Sequence, residues 1–262
     1  MIGRITTFLY GIVCYLIFLG TFLYAIAFLG DFGVLPTIDS GAQGELGQDL
    51  AIDAALLTLF ALQHSIMARP WFKRAWTRVV PPAAERSTYV LLASVALVLL
   101  FWQWRPIGGV IWQVENQLGR FAIYAAYGLG WALLLVATFL INHFDLFGLR
   151  QVYLRLRGRE YTGLRFRTPG IYRYVRHPIY FSWLCIFWAT PRMTTAHLVF
   201  ALATTVYILV AIPLEERDLV SIHGDEYRRY REQVPKILPV RMPAKRQHGA
   251  AGIARAAGYS GD

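Results

Sequence analysis

Arg173, Arg176 and His177 stand directly before Pro178 in the stretch TPGIYRYVRHPIYFSWL, at the mouth of an apolar run. Proline suits the first position of a helix, because its missing N–H would be unpaired there anyway. The next backbone N–H groups are then free, and a helix N-terminus beside cations binds anions well. Further on, AIPLEERDL places Glu215 and Glu216 at the end of the following apolar run. If the two runs form a hairpin, its return brings the cations and the carboxylates to one membrane surface. Each group alone has a plainer reading: arginines that snorkel, and acids at an interfacial helix start. Together they ask for a ligand with both charges, and S-adenosylmethionine is one. Its carboxylate suits N–H groups with Arg173 and Arg176, and its ribose diol suits Glu215 or Glu216. Its adenine suits an aromatic ring such as Tyr180 or Trp183, with His177 at the helix mouth.

A second group lies at the same depth. His64 falls near the end of one apolar stretch and Asn142–His143 near the end of another. Ionisable residues in membrane segments are rare and usually face an interior cavity. With Arg69, Asp145 and Arg150 close by in sequence, they suggest a shared polar chamber, against the plainer reading of histidines at the headgroup boundary. His197 falls at the far surface, His248 in the tail and His223 at a helix end, so none of these joins the group.

The elements that must position these residues are membrane helices. The chain is 56% hydrophobic and only 16% charged, whereas soluble domains run near 45–50% and 25%. Helices are expected at 5–30, 50–68, 87–104, 120–142, 179–190 and 194–214. The first is too long for a signal-peptide core and is read as retained. The fold class is therefore an all-α integral membrane protein, a bundle of five to six transmembrane helices with a C-terminal helical hairpin and short cytosolic helices. Between Arg69 and Ser87 there are five basic residues and one acid, and between His143 and Pro178 eight arginines and two acids. Asp31–Leu50 carries four acids and no Lys or Arg. The positive-inside rule then puts the basic loops, both termini and the site on the cytosolic side of the inner membrane. The net charge of +10 is explained by topology, without nucleic acid. Residues 179–190 give only about 18 Å of helix, short of the ~30 Å hydrocarbon core, so the hairpin begins below the surface or spans incompletely. Pro191 closes its turn, Thr194 or Thr195 caps the next helix, and Gly224 ends a helix before a short one carrying Tyr227 and Tyr230. A single domain is expected over 1–240, its cofactor-binding part at 165–239, followed by a disordered basic tail at 241–262. The GLG near Tyr127–Gly130 reads as helix packing. Cys14 and Cys185 read as packing residues without a disulfide, and no metal is expected because no His or Cys pair has ligand spacing.

The segment Gly170–Pro239, with R-H-P-x-Y, then E-E, then G-x-x-Y-x-x-Y and a closing proline, resembles the isoprenylcysteine carboxyl methyltransferase-like membrane methyltransferases. In that family this region encloses S-adenosylmethionine, which the resemblance implies for His177, Tyr180, Glu215 and Glu216. ALQHSIMARPWFK and INHFDLFGLRQVYL look like the bacterial methanethiol S-methyltransferases, extending the likeness over Leu50–Pro239. The implied activity is methylation of a small thiol, methanethiol or hydrogen sulfide, to dimethyl sulfide in the former case. The lipid bilayer is the expected surrounding, with no obligate protein partner. A free thiol is mostly protonated, so a general base is expected; His143 is the first candidate, with Asp145 or Asn142 orienting it, and His64 the second. Arg69 or Arg150 would instead stabilise the thiolate. Two alternatives stay open: a lipid or isoprenylcysteine-type carboxylate acceptor, and a small channel or structural protein without catalysis.

Overall fold

A computed structural model describes residues 1–239; the tail expected at 241–262 lies outside the described residues. Among the described residues, five helices are long and apolar enough to cross a membrane: α1 (Ile2–Gly30), α2 (Leu46–Ala68), α4 (Pro82–Gln103), α5 (Gln117–Ile141) and α9 (Thr195–His223). Shorter helices join or extend them: α3 (Pro70–Trp76), α6 (His143–Leu146), α7 (Leu149–Leu156), α8 (Pro178–Trp188) and α10 (Asp225–Gln233). The protein is a multi-pass, all-α membrane protein, as its composition requires.

Local chemistry sets most ends. Arg69 is extended (φ −71°, ψ 142°) between α2 and α3, as a residue before proline must be. Asn116 caps α5 by accepting from the Gly119 N–H at 2.6 Å. Thr194 caps α9 by accepting from the His197 N–H at 3.1 Å, and Gly224 (φ 59°) ends it. Two expectations change. The helix expected to end at 214 runs through Pro213 to His223. An interior proline removes one ladder bond, and here the helix carries on past it. The helix expected from residue 87 begins at Pro82, where a first-turn proline costs nothing.

α8 is only 11 residues long, about 17 Å. An extended segment completes its passage and includes β2 (Arg192–Thr194), which pairs antiparallel with β1 (Val110–Gln113) from the α4–α5 connection. The Thr194 hydroxyl also donates to Asp39 in the α1–α2 connection. The hairpin turn therefore reaches the same, acidic end of the bundle as those two connections.

Aromatic rings fill the interior. Phe22 meets Trp131 edge-on at 4.9 Å, Trp131 meets Trp183 at 5.4 Å, and Phe28 packs on Phe101 at 4.7 Å. In lipid, helices associate by close packing rather than by exclusion of water, so small residues matter at crossings. A Cβ at Gly130 would fall 2.9 Å from Ile186 Cγ1, so this glycine lets α5 and α8 approach.

Candidate active site

At the basic end, the first turn of α8 is strapped to the last described residues. The Arg176 and His177 N–H groups donate to the carbonyls of Pro235 (2.9 Å) and Lys236 (3.0 Å). The Arg176 guanidinium donates to the Val234 carbonyl at 2.8 Å and to that of Arg231. Its Nε lies 2.9 Å from Glu216 Oε1, and His177 Nε2 lies 3.1 Å from the same oxygen. The cations before Pro178 and the carboxylates after Pro213 thus meet across the hairpin. The Arg176 and Glu216 side chains are only 7% and 6% exposed, and ion pairs so far from water hold only with several bonds each. Glu215 is more open. Its Oε2 stands 3.8 Å from His177 Nδ1 and is buried with no hydrogen-bond partner among the described residues. Tyr180 packs on His177, ring centroids 5.5 Å apart, and its hydroxyl faces Glu215. Tyr227 and Tyr230 close this side under Phe166; burial raises the Tyr230 phenol to about 12, which keeps it a donor to the Tyr172 carbonyl.

Next to this clamp is a group made by α2, α4 and α9. The Tyr89 hydroxyl lies 2.9 Å and 3.0 Å from the two ring nitrogens of His64, and Phe60 stacks on the imidazole at 5.2 Å. Tyr207 bonds Ser65 Oγ at 3.0 Å. Arg69 pairs with Asp218 at 2.7 Å, tying the end of α2 to α9. Tyr180 has both Tyr207 and Tyr89 as neighbours, so it joins the two groups. His64 and Arg69 were expected at this level. Tyr89, Tyr207 and Asp218 were not; the only sequence hint is that Asp218 follows Glu215 by three residues, one helical turn.

His143 sits elsewhere. Its Nε2 bonds the Tyr15 hydroxyl at 2.9 Å and its Nδ1 bonds Thr138 Oγ1 at 3.0 Å. Phe139 stacks on its ring at 4.3 Å and the residue is 5% exposed. Burial lowers its pKa, so the ring stays neutral. The ring of Phe147, 4.7 Å from His143, also packs against the cluster of Met67, Tyr89 and Val90. The expected orienting partners have other tasks. Asn142, in a left-handed conformation (φ 105°), caps the Asp145 N–H at 3.1 Å. Asp145 pairs with Arg150 at 2.8 Å and accepts from the Tyr161 hydroxyl at 3.2 Å, and Arg150 also holds the Thr162 carbonyl at 3.0 Å. These residues build the loop after α5 and do not orient His143. Trp183, an expected adenine platform, lies in the core between Trp131 and Phe187. Arg173 is exposed and lines a recess of about 400 Å³ with Arg167, Thr168 and Glu226.

Comparison with known proteins identifies the family. Residues 125–226, which include α8 and the Glu215–Glu216 pair, match the phospholipid methyltransferase family. The methanethiol S-methyltransferase of Crocosphaera subtropica is 56% identical over 91% of this chain and 93% of its own length. That of Mycobacterium tuberculosis is 55% identical over 90% and 97%. Mouse nurim is 32% identical over 69% and 71%. No solved structure matches significantly. Identical at more than half of the aligned positions along nearly the whole length of two such enzymes, the chain belongs to the methanethiol S-methyltransferase family.

Proposed function

We propose that this protein transfers a methyl group from S-adenosylmethionine to methanethiol, releasing dimethyl sulfide, at the basic end of its helix bundle. One observation carries the reading: Arg176 and His177 close on Glu216, beside a Glu215 carboxylate that the Tyr180 hydroxyl faces and whose buried Oε2 has no hydrogen-bond partner among the described residues. An orphaned buried acceptor is costly, and a ribose hydroxyl or an ammonium would satisfy it, so the residues fit this cofactor. Glu215 and Tyr180 would hold the nucleoside, Arg176, His177 and Glu216 would fix the wall behind it, and Arg173 with the N–H groups opening α8 would face its carboxylate. When bound, S-adenosylmethionine supplies an electrophilic methyl group on a sulfonium sulfur.

The protein's own residues prepare the acceptor. A thiol with pKa near ~8.5 or above carries its proton in the cell. His64, held by Tyr89, accepts that proton at a ring nitrogen, a role that contributes about 10²–10⁴-fold in rate. Arg69 adds positive charge at the same level. Phe60, Tyr207 and Tyr89 keep water out, and fixing both reactants contributes ~7–11 kcal/mol. Residues 1–240 act as one domain, with 165–239 as its cofactor part. The protein resides in the bacterial cytoplasmic membrane, with both termini and the site facing the cytosol.

The test is membranes from cells expressing the chain, supplied with methyl-labelled donor and, in parallel, methanethiol, hydrogen sulfide or a prenylated or phospholipid acceptor. Labelled dimethyl sulfide in the headspace is the expected result. Label recovered only in the lipid fraction would replace the thiol with a lipid acceptor.

A further inference from the structure

A second cleft, of about 870 Å³, opens at the basic end between α1, α3, α4 and α7. This is within the 300–1,000 Å³ range of ligand sites. Five cations line it: Arg4, Lys73, Arg86, Arg155 and Arg159. None of them makes a carboxylate ion pair among the described residues. Of the acids at the rim, Asp145 is already neutralised by Arg150, which leaves Glu85 and Glu160. Burial together with Arg86 and Arg69 depresses the Lys73 ammonium, as expected where like charges share one concavity.

Two buried groups in the cleft wall lack partners among the described residues. Gln151 is 9% exposed; its Nε2 donates to the Asp145 carbonyl at 3.0 Å, but its Oε1 accepts from nothing. Arg155 Nε, one helical turn along α7, is a buried donor without an acceptor. A ligand that satisfies both must bring an anionic oxygen for the cations and a hydroxyl for Gln151. The depth of the cleft narrows the class further. Its walls include Arg4 in the first turn of α1 and Pro82–Arg86 in the first turns of α4, where these spans leave the hydrocarbon. That is the level of lipid phosphates.

We infer that this cleft is a binding site for a phosphate ester carrying a free hydroxyl, as in the headgroup of an anionic glycerolipid or a soluble glycerol phosphate. Arg176, His177, Glu215 and Glu216 take no part in its lining, so it is distinct from the donor clamp; it adjoins the His64 group, since Arg86 in its wall lies over the Tyr89 ring at 4.9 Å.

The full-length protein in phosphatidylcholine nanodiscs, titrated with phosphatidylglycerol and read by native mass spectrometry, tests it. Retention of one phosphatidylglycerol per chain is expected, with affinity falling about fivefold for each cation removed, first in Arg159→Gln and further in Arg155→Gln with Arg159→Gln. Millimolar glycerol phosphate added as competitor separates the sources: displacement of the lipid assigns the site to the soluble ester, and no displacement assigns it to the lipid. Arg159 is exposed, so its single variant reads the site even if loss of Arg155 unfolds the chain. Equal retention by wild type and Arg159→Gln, or equal retention of phosphatidylcholine, overturns the inference.

Discussion

At the scale of single residues, Glu215 and Glu216 are neighbours with different duties. Glu216 is buried between Arg176 and His177, and removing one member of such a pair leaves a buried charge, at a cost of about 3–5 kcal/mol. Glu216→Ala is therefore expected to lower the melting temperature sharply and to abolish donor binding with it. Glu215 is 41% exposed at the side chain, so Glu215→Gln should leave melting nearly unchanged while weakening S-adenosylmethionine at least tenfold in calorimetry. An unchanged dissociation constant would remove Glu215 from the cofactor site. The two histidines divide in the same way. His64→Ala is expected to lower kcat by about 10²–10⁴ with donor affinity intact, and Tyr89→Phe by less. His143→Ala should instead act on stability, because its ring ties α1 to α5 through Tyr15 and Thr138. Its pH signature has a definite sign. The folded pKa of His143 lies below the unfolded value, so the unfolded chain takes up the proton first. The stability it contributes is full above pH ~6.5 and is lost as pH falls towards the folded pKa. Melting curves between pH 7.5 and 5.5 should fall less steeply for His143→Gln than for wild type; parallel slopes would refute this. The R-H-P and E-E clusters were legible in the sequence because charged residues at the ends of apolar runs stand out. Tyr89 and Tyr207 were not, since a tyrosine that bonds across helices looks the same in sequence as one that only packs.

At the scale of elements, the site depends on how α8 is held. Its first residue, Pro178, and the cap at Thr194 were readable from local chemistry, which acts over a few residues. The β1–β2 pair was not, because it joins segments some eighty residues apart and Val110–Gln113 is exposed throughout. Nor was the continuation of α9 past Pro213, where packing outweighs one lost backbone bond. Gly130 connects these features to function. A larger side chain there must push Ile186, and with it α8, away from α5. Overpacking of this kind costs ~1–3 kcal/mol, and the displaced helix carries His177 and Tyr180. Gly130→Leu is expected to lose stability by that amount and to weaken donor binding, even though residue 130 touches no part of the clamp. If it melts earlier but binds the donor as wild type does, the clamp is held by the 231–236 strap alone and not by the α5–α8 packing.

At the scale of the whole molecule, charge and chemistry share one end. The connections at 69–81 and 142–177 join α2 to α4 and α5 to α8, and the clamp and the His64 group lie beside them. The opposite end gathers Asp31, Asp39 and Asp49 with the β1–β2 pair. Retention of Lys and Arg on the cytosolic side sets orientation in such chains. That orientation would also serve the proposed reaction, because a charged nucleoside donor in the cytosol need not cross the bilayer, whereas a small apolar thiol and its methylated product pass through it freely. Single cysteines can test this. Glu115, beyond β1, and Arg157, beyond α7, are both exposed, while Cys14 is fully buried and Cys185 lies within α8. In intact cells a membrane-impermeant maleimide should label Glu115→Cys through the outer surface and leave Arg157→Cys unreacted until the membrane is opened. The reverse pattern would place the Glu215–Glu216 pair outside the cell, cut off from its methyl donor, and the proposed reaction could not run in that orientation.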